Sequence, residues 1–68
     1  MNFLAFTRRW NGDWQSFAVP VNKIRCLYIV SIPIKDDFPT LQAVIEMEDG
    51  TAHYSIEPMS ELLERLNK

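Results

Sequence analysis

The sequence predicts an α+β domain, an antiparallel β-meander of about five strands with one C-terminal amphipathic helix packed on one face. Three observations carry this expectation. Asn11-Gly12 and Asp49-Gly50 each separate two runs that alternate apolar and polar residues. Such dipeptides are strong hairpin signals, because their residues accept the positive φ of a tight turn. Between them, Ile24 to Ile32 is the most β-prone stretch of the chain. After Pro58 the apolar spacing changes from alternating to helical.

The first hairpin can be registered by arithmetic. A two-residue loop at Asn11-Gly12 sets Trp10 opposite Asp13, Arg9 opposite Trp14, Thr7 opposite Ser16, Phe6 opposite Phe17 and Leu4 opposite Val19. Opposed residues share a face, and faces alternate along a strand. One face then carries Leu4, Phe6, Phe17 and Val19, a core face. The other carries Ala5 with Ala18, Thr7 with Ser16, and Arg9 with Trp14. Pro20-Val21-Asn22-Lys23 reads as a turn leading into the Ile24–Ile32 strand. That strand is apolar on both sides, with Cys26, Tyr28, Val30 and Ile32 on one and Leu27 and Ile29 on the other. It is therefore expected to be central, covered by the fold or by a partner subunit. Pro33 to Pro39 is a loop, since two prolines forbid regular pairing through it.

The same two-residue arithmetic at Asp49-Gly50 places Met47 opposite Ala52, Ile45 opposite Tyr54 and Ala43 opposite Ile56 on an inner face. Glu48 with Thr51, Glu46 with His53, Val44 with Ser55 and Gln42 with Glu57 form an outer, mostly polar face. Pro58 suits the first helical position. Met59, Leu62, Leu63 and Leu66 follow at i, i+3, i+4 and i+7, one apolar stripe. Glu57 and Glu61 near its start and Arg65 and Lys68 near its end suit the helix dipole. Packing of this stripe implies that Leu63→Asp unfolds the domain.

Sixty-eight residues, 47% of them hydrophobic, make one domain over 1–68 with a thin stability margin. The usual staples of small domains are missing: one cysteine, Cys26, forms no internal disulfide, and one histidine, His53, leaves a zinc site short of ligands. Self-association is the staple that remains, so a homodimer is expected. A lone cysteine suits a reducing compartment. Arg8 and Arg9 interrupt the apolar Met1–Phe6 start, unlike a signal peptide. No run approaches the roughly 20 apolar residues of a membrane span. The expectation is a soluble, cytoplasmic protein with no membrane role. Net charge is −2, which argues against a dedicated nucleic-acid binder. Five of the seven basic residues lie in the first 35 positions and eight of the nine acidic ones from Asp36 onward. Attraction between the halves of one fold explains this polarity as readily as a partner site.

Candidate chemistry is sparse, and no enzyme activity or cofactor is expected. His53 facing Glu46 could pair a general base with an orienting acid, but it lacks a nucleophile and reads as a solvated cross-strand pair. Cys26 reads as a buried structural thiol, with Arg25 adjacent in sequence but pointing away. Asp36-Asp37 falls short of the about six to eight oxygens of a calcium site. Both glycines are used by hairpin turns, which leaves none for a phosphate loop. The cluster that stands out is Arg8, Arg9, Trp10, Trp14 and Arg25. Basic residues interleaved with aromatics at a hairpin tip can form a protein hot spot or bind single-stranded nucleic acid. They can also satisfy themselves through an internal Arg9–Trp14 cation–π pair.

Thr7-Arg8-Arg9-Trp10-Asn11-Gly12, Val21-Asn22-Lys23-Ile24, Asp49-Gly50 and Ser60-Glu61-Leu62-Leu63-Glu64-Arg65-Leu66 occur in an order that resembles the FlbD-like flagellar (swarming motility) proteins. The chain departs from that pattern in its longer Pro33–Pro39 loop and its tryptophans. The resemblance implies a small cytoplasmic accessory protein. Val19-Pro20, Ile24, Tyr28-Ile29, Asp49-Gly50 and Ser60 to Leu66 also look similar to part of the LytTR-type DNA-binding domain, without its DNA-reading elements. Together these readings lead to a non-enzymatic protein-binding or regulatory module. A phage or mobile-element protein that binds a host macromolecule is one specific form of it. Single-stranded nucleic-acid binding through the Arg/Trp hairpin is the alternative.

Overall fold

In the computed structural model, which describes residues 2–67, Asn11 and Gly12 both take positive φ, 51° and 83°. The first hairpin therefore turns at the predicted place. It joins β1 (Phe3–Trp10) to β2 (Asp13–Pro20), and every predicted pair from Leu4/Val19 to Trp10/Asp13 is present. A 3-10 turn, Val21–Lys23, leads into β3 (Ile24–Ile32). The proline-bounded loop follows, then β4 (Thr40–Met47), β5 (Ala52–Ser55) and helix α1 (Met59–Leu66). The expectations for Met1 and Lys68 lie outside the described residues.

The five strands are antiparallel and fall into two sheets, β1-β2 and β3-β4-β5. Ile56 N–H donates to the Thr7 carbonyl at 3.0 Å and ties the first hairpin to the rest, while Val21 N–H donates to the Asn2 carbonyl at 2.9 Å and extends the hairpin's own ladder. Between the sheets and α1 lies one core, built from Leu4, Phe6, Val19, Ala43, Ile45, Met47 and Leu62. Phe17, Leu27 and Met59 pack against it partly buried.

The second hairpin corrects the predicted register. Met47 N–H donates to the Thr51 carbonyl at 2.8 Å and Gly50 N–H to the Met47 carbonyl at 3.0 Å, so the loop has three residues, Glu48-Asp49-Gly50. Gly50 takes the left-handed conformation at φ 92°, and Asp49 Oδ1 accepts from Thr51 N–H at 2.9 Å. Three-residue loops of this kind close with a glycine in that conformation, one residue longer than an Asp-Gly turn alone. The slip places Ile45 opposite His53, Val44 opposite Tyr54, Ala43 opposite Ser55 and Glu46 opposite Ala52. Because side chains alternate faces, one residue exchanges the whole set. Ser55 turns inward and is buried, and His53 is half-buried. Tyr54 and Ile56 turn outward.

β3 is an edge strand, not the central one; β4 is central, with Ala43, Val44 and Ile45 all buried. The apolar composition of β3 suggested cover on both faces, but the first hairpin does not pair with it. A bulge interrupts its ladder: Ile24 pairs Met47 and Cys26 pairs Glu46, with Arg25 inserted between. The extra residue brings Arg25 and Cys26 both to Glu46, which corrects the expectation that they diverge.

Pro58 is the residue before the helix, not its first member, and its carbonyl accepts from the N–H groups of Glu61 and Leu62. The apolar stripe is narrower than predicted. Leu62 is fully buried (0% exposed), whereas Leu63 is 47% exposed, so the expected collapse on Leu63→Asp does not follow from its position. An eight-residue helix resting on a small core buries one line of side chains and leaves the next beside solvent.

Candidate functional site

The first hairpin's alternation divides the predicted Arg/Trp cluster between two faces. Arg9 and Trp14 are opposed on the outer face, the Arg9 guanidinium 5.1 Å from the Trp14 ring centroid. Arg8 continues the face of Phe6 inward. Its guanidinium lies 3.8 Å from the Phe17 ring centroid and 4.9 Å from that of Trp10. Arg8 Nε donates to Gln15 Oε1 at 3.0 Å, and Arg8 Nη1 donates to His53 Nδ1 at 3.0 Å. Both tryptophans are exposed, Trp10 by 54% and Trp14 by 62%. Arg25 is not part of this group. It stands on β3, across β4 from β5, and pairs with Glu46 at 3.9 Å.

His53 does not face Glu46. Its ring packs against Phe17 and Phe6, with centroids at 5.1 and 5.7 Å. Burial, then the adjacent Arg8 charge, push its pKa below the ordinary imidazole value, against a weaker opposing pull from Asp49. A guanidinium has no acceptor atom, so Nδ1 must accept, which leaves the neutral ring protonated at Nε2. An imidazole held this way is a packed, hydrogen-bonded wall. That wall separates two concavities. One, of about 180 Å³, is lined by Arg8, Arg9, Trp10, Gln42, Tyr54 and Ile56 as well as His53. The other is a groove of about 730 Å³ between β2 and the second hairpin loop, with Phe17, Val19 and Met47 among its apolar walls and Lys23, Glu48 and Asp49 at its rim.

Sequence reasoning missed this groove because Phe17–Pro20 and Met47–Thr51 are distant along the chain and carry no shared motif. It also missed Glu57, assigned above to the helix dipole. Glu57 is turned back into the fold. Its carboxylate accepts from Thr7 N–H at 2.8 and 3.1 Å, Thr7 Oγ1 at 3.0 Å, Ser55 Oγ at 2.8 Å and Arg65 Nη1 at 3.2 Å. Burial pushes this carboxyl upward, but the bonds from the Thr7 backbone and the Ser55 and Thr7 hydroxyls outweigh it and hold the pKa at about 2. Arg65 also donates to the Ala5 carbonyl at 2.8 Å and to Glu61 at 2.8 Å. The only local sign was an acidic residue directly before the helix-initiating proline.

Cys26 is exposed, not buried. Its thiol donates to Glu46 Oε2 at 3.1 Å, and that bond, followed by partial loss of water around the sulfur and by the Glu46 charge, raises its pKa against the weaker effect of Arg25. A thiol held protonated is a poor nucleophile. Asp36, in the left-handed region at φ 62°, and Asp37 form an exposed turn, with Asp37 Oδ1 accepting from Phe38 N–H at 2.7 Å. Among the described residues no three His, Cys, Asp or Glu side chains cluster to hold a metal ion, and no helix is long and apolar enough to cross a membrane. The chain's charge polarity produces one ion pair between its halves among the described residues, Arg25–Glu46. No family model, curated protein or solved structure matches this chain, so its resemblance to FlbD-like proteins rests on the turn and helix motifs alone.

Proposed function

We propose that this chain is a small, non-enzymatic protein-binding module whose partner seats on the tip of the first hairpin. The observation that carries this reading is the exposure of Trp10 and Trp14, each more than half open beside a guanidinium, in a domain that completes its core without either. Buried Trp and Arg anchors dominate binding energies at protein interfaces. Two large aromatic faces left in water are surface that a partner could cover. The adjoining cleft, with Tyr54 and Ile56 on its walls, extends the apolar area beyond the tip. Arg8 is held in place by Gln15, Phe17 and His53, so part of the surface is organised before binding, which lowers the ordering cost. Cytoplasmic residence belongs to the same proposal, from the single cysteine.

Single-stranded nucleic acid fits this surface less well. Arg8 is engaged inward, Asp13 stands opposite Trp10 at the tip, and Arg25 lies on the other sheet. Few cations remain to neutralise phosphates. The two readings separate in one pair of measurements on the intact chain. Affinity capture should lose its specific partner with Trp10→Ala/Trp14→Ala, while circular dichroism and melting remain close to the parent protein. Oligonucleotide titration at low salt should leave tryptophan fluorescence unchanged. Retention of every partner by the double variant would remove the tip from consideration. Salt-sensitive quenching by oligonucleotide would transfer the surface to nucleic acid.

A further inference from the structure

We propose that a second copy of this chain docks on the free edge of β3, pairing antiparallel across a two-fold axis at Ile29. This surface is independent of the Arg/Trp tip. Among the described residues β3 pairs on one side only. Exposed sheet edges are templates for strand addition, and proteins protect them with charges, prolines, bulges or short strands. β3 has one bulge and one charge, both at Arg25. From Cys26 to Ile32 the run Cys-Leu-Tyr-Ile-Val-Ser-Ile contains no charge and no proline, and its ladder to β4 is unbroken.

The ladder also shows which backbone groups of that run are free. Met47 N–H bonds to Thr51 on the β5 side, and successive residues of an antiparallel strand direct their backbone groups alternately to the two sides. Ile45 and Ala43 therefore bond toward β5, and Gln42, Val44 and Glu46 toward β3. Their partners Val30, Tyr28 and Cys26 spend their N–H and C=O groups on β4. Leu27, Ile29 and Ser31 direct theirs outward.

A two-fold axis at Ile29 matches these free groups to one another: Ile29 to Ile29 of the second copy, and Leu27 to Ser31 of the second copy. It spans the bulge-free run from end to end, with Cys26 opposite Ile32 and Tyr28 opposite Val30 of the second copy. Within the paired run no like charges meet, because Cys26 to Ile32 carries none. Side chains gain as well as backbone. Ile29 is 52% exposed although it points to the core side of the sheet, and it borders a small apolar hollow shared with Leu41, Ala43, Pro58 and Met59. Pairing would join two three-stranded sheets into one continuous sheet and cover this edge in both copies. For a small domain whose single cysteine forms no internal disulfide, that is the kind of staple its size calls for.

Light scattering or sedimentation across a dilution series should show a reversible dimer for the intact chain. Ile29→Lys, an edge charge of the protective kind, should return it to monomer with the β-sheet spectrum retained. Should that variant fail to fold, Ser31→Pro serves instead, because it removes only an outward N–H from an exposed position. Ile32→Cys tests the register. Positions 26 and 32 of one strand are roughly 20 Å apart and cannot join internally, yet across the proposed axis they are opposed. Mild oxidation should then give a dimer with position 26 of one copy joined to position 32 of the other. A monomer at the highest concentration, a dimer that survives both edge variants, or cross-linking through Val30→Cys in place of Ile32→Cys would each overturn the proposal.

Discussion

At the scale of single residues, His53 shows how one backbone position changes chemical character. Paired with Glu46 it would carry a carboxylate beside its ring; seated opposite Ile45 it meets a guanidinium instead. The folded-state pKa lies below the ordinary imidazole value of 6.5, so the fold favours the neutral ring. The stability this contributes is full above the unfolded value near 6.5 and is lost as pH falls through the depressed folded value. An NMR titration of the His53 ring should have its midpoint below 6.5, and Arg8→Gln should raise it by removing the adjacent charge. A midpoint at or above 6.5 in the parent protein would contradict the Arg8–His53 arrangement. Cys26 follows the same rule. Its neighbours in sequence are apolar, but the neighbour that decides its chemistry, Glu46, is on another strand.

At the scale of elements, the first hairpin and the helix were legible to different depths. Asn-Gly leaves little choice of loop, so one dipeptide set the register of β1 and β2. Asp-Gly suits both a two-residue loop and the last positions of a three-residue one. Hydrophobic alternation did not decide between them, because both faces of β5 carry a large ring, His53 or Tyr54. The tertiary contact that decides is Phe6 and Phe17 packing against His53. In α1 the helical spacing was clear, but which edge of the stripe faces the core depends on where the sheets place it. Leu62→Ala should cost about 2–5 kcal/mol, as for other fully buried leucines, and Leu62→Asp should abolish folding. Leu63→Asp should cost far less. Urea denaturation of the three variants checks the order, and equal losses at the two positions would refute the helix orientation.

For the whole molecule, Glu57 is the joint. One carboxylate connects β1 through Thr7, the end of β5 through Ser55 and the last turn of α1 through Arg65. Each bond favours the ionised form, and the carboxyl falls from 4.5 to about 2. Such a depression corresponds to roughly 3 kcal/mol. A lowered carboxyl contributes fully above the unfolded value and is lost as pH falls through the folded one. The domain should therefore lose stability steadily from about pH 4.5 down to about pH 2. Glu57→Gln should reduce stability at neutral pH by about 2–3 kcal/mol and flatten that acid limb. Denaturation midpoints collected across the acid range test it, and an unchanged acid limb in Glu57→Gln would assign the loss to other groups.

The local patterns by themselves determined the number and order of the elements, the β1-β2 register and the proline-bounded loop. Each depends on turn geometry or on periodicity within a few residues, and those forces act before the chain is packed. Tertiary structure alone decided that β4 and not β3 is central, that β5 shows His53 and Ser55 to the core, that Leu63 stays at the surface, and that Glu57 joins three elements. These depend on which surfaces meet. The free energy that settles them comes from burial and from satisfying buried polar groups across long sequence separations. A nine-residue apolar strand reads the same whether the fold covers it or leaves it for a second copy, and only the assembled sheets show that β3 keeps one edge open.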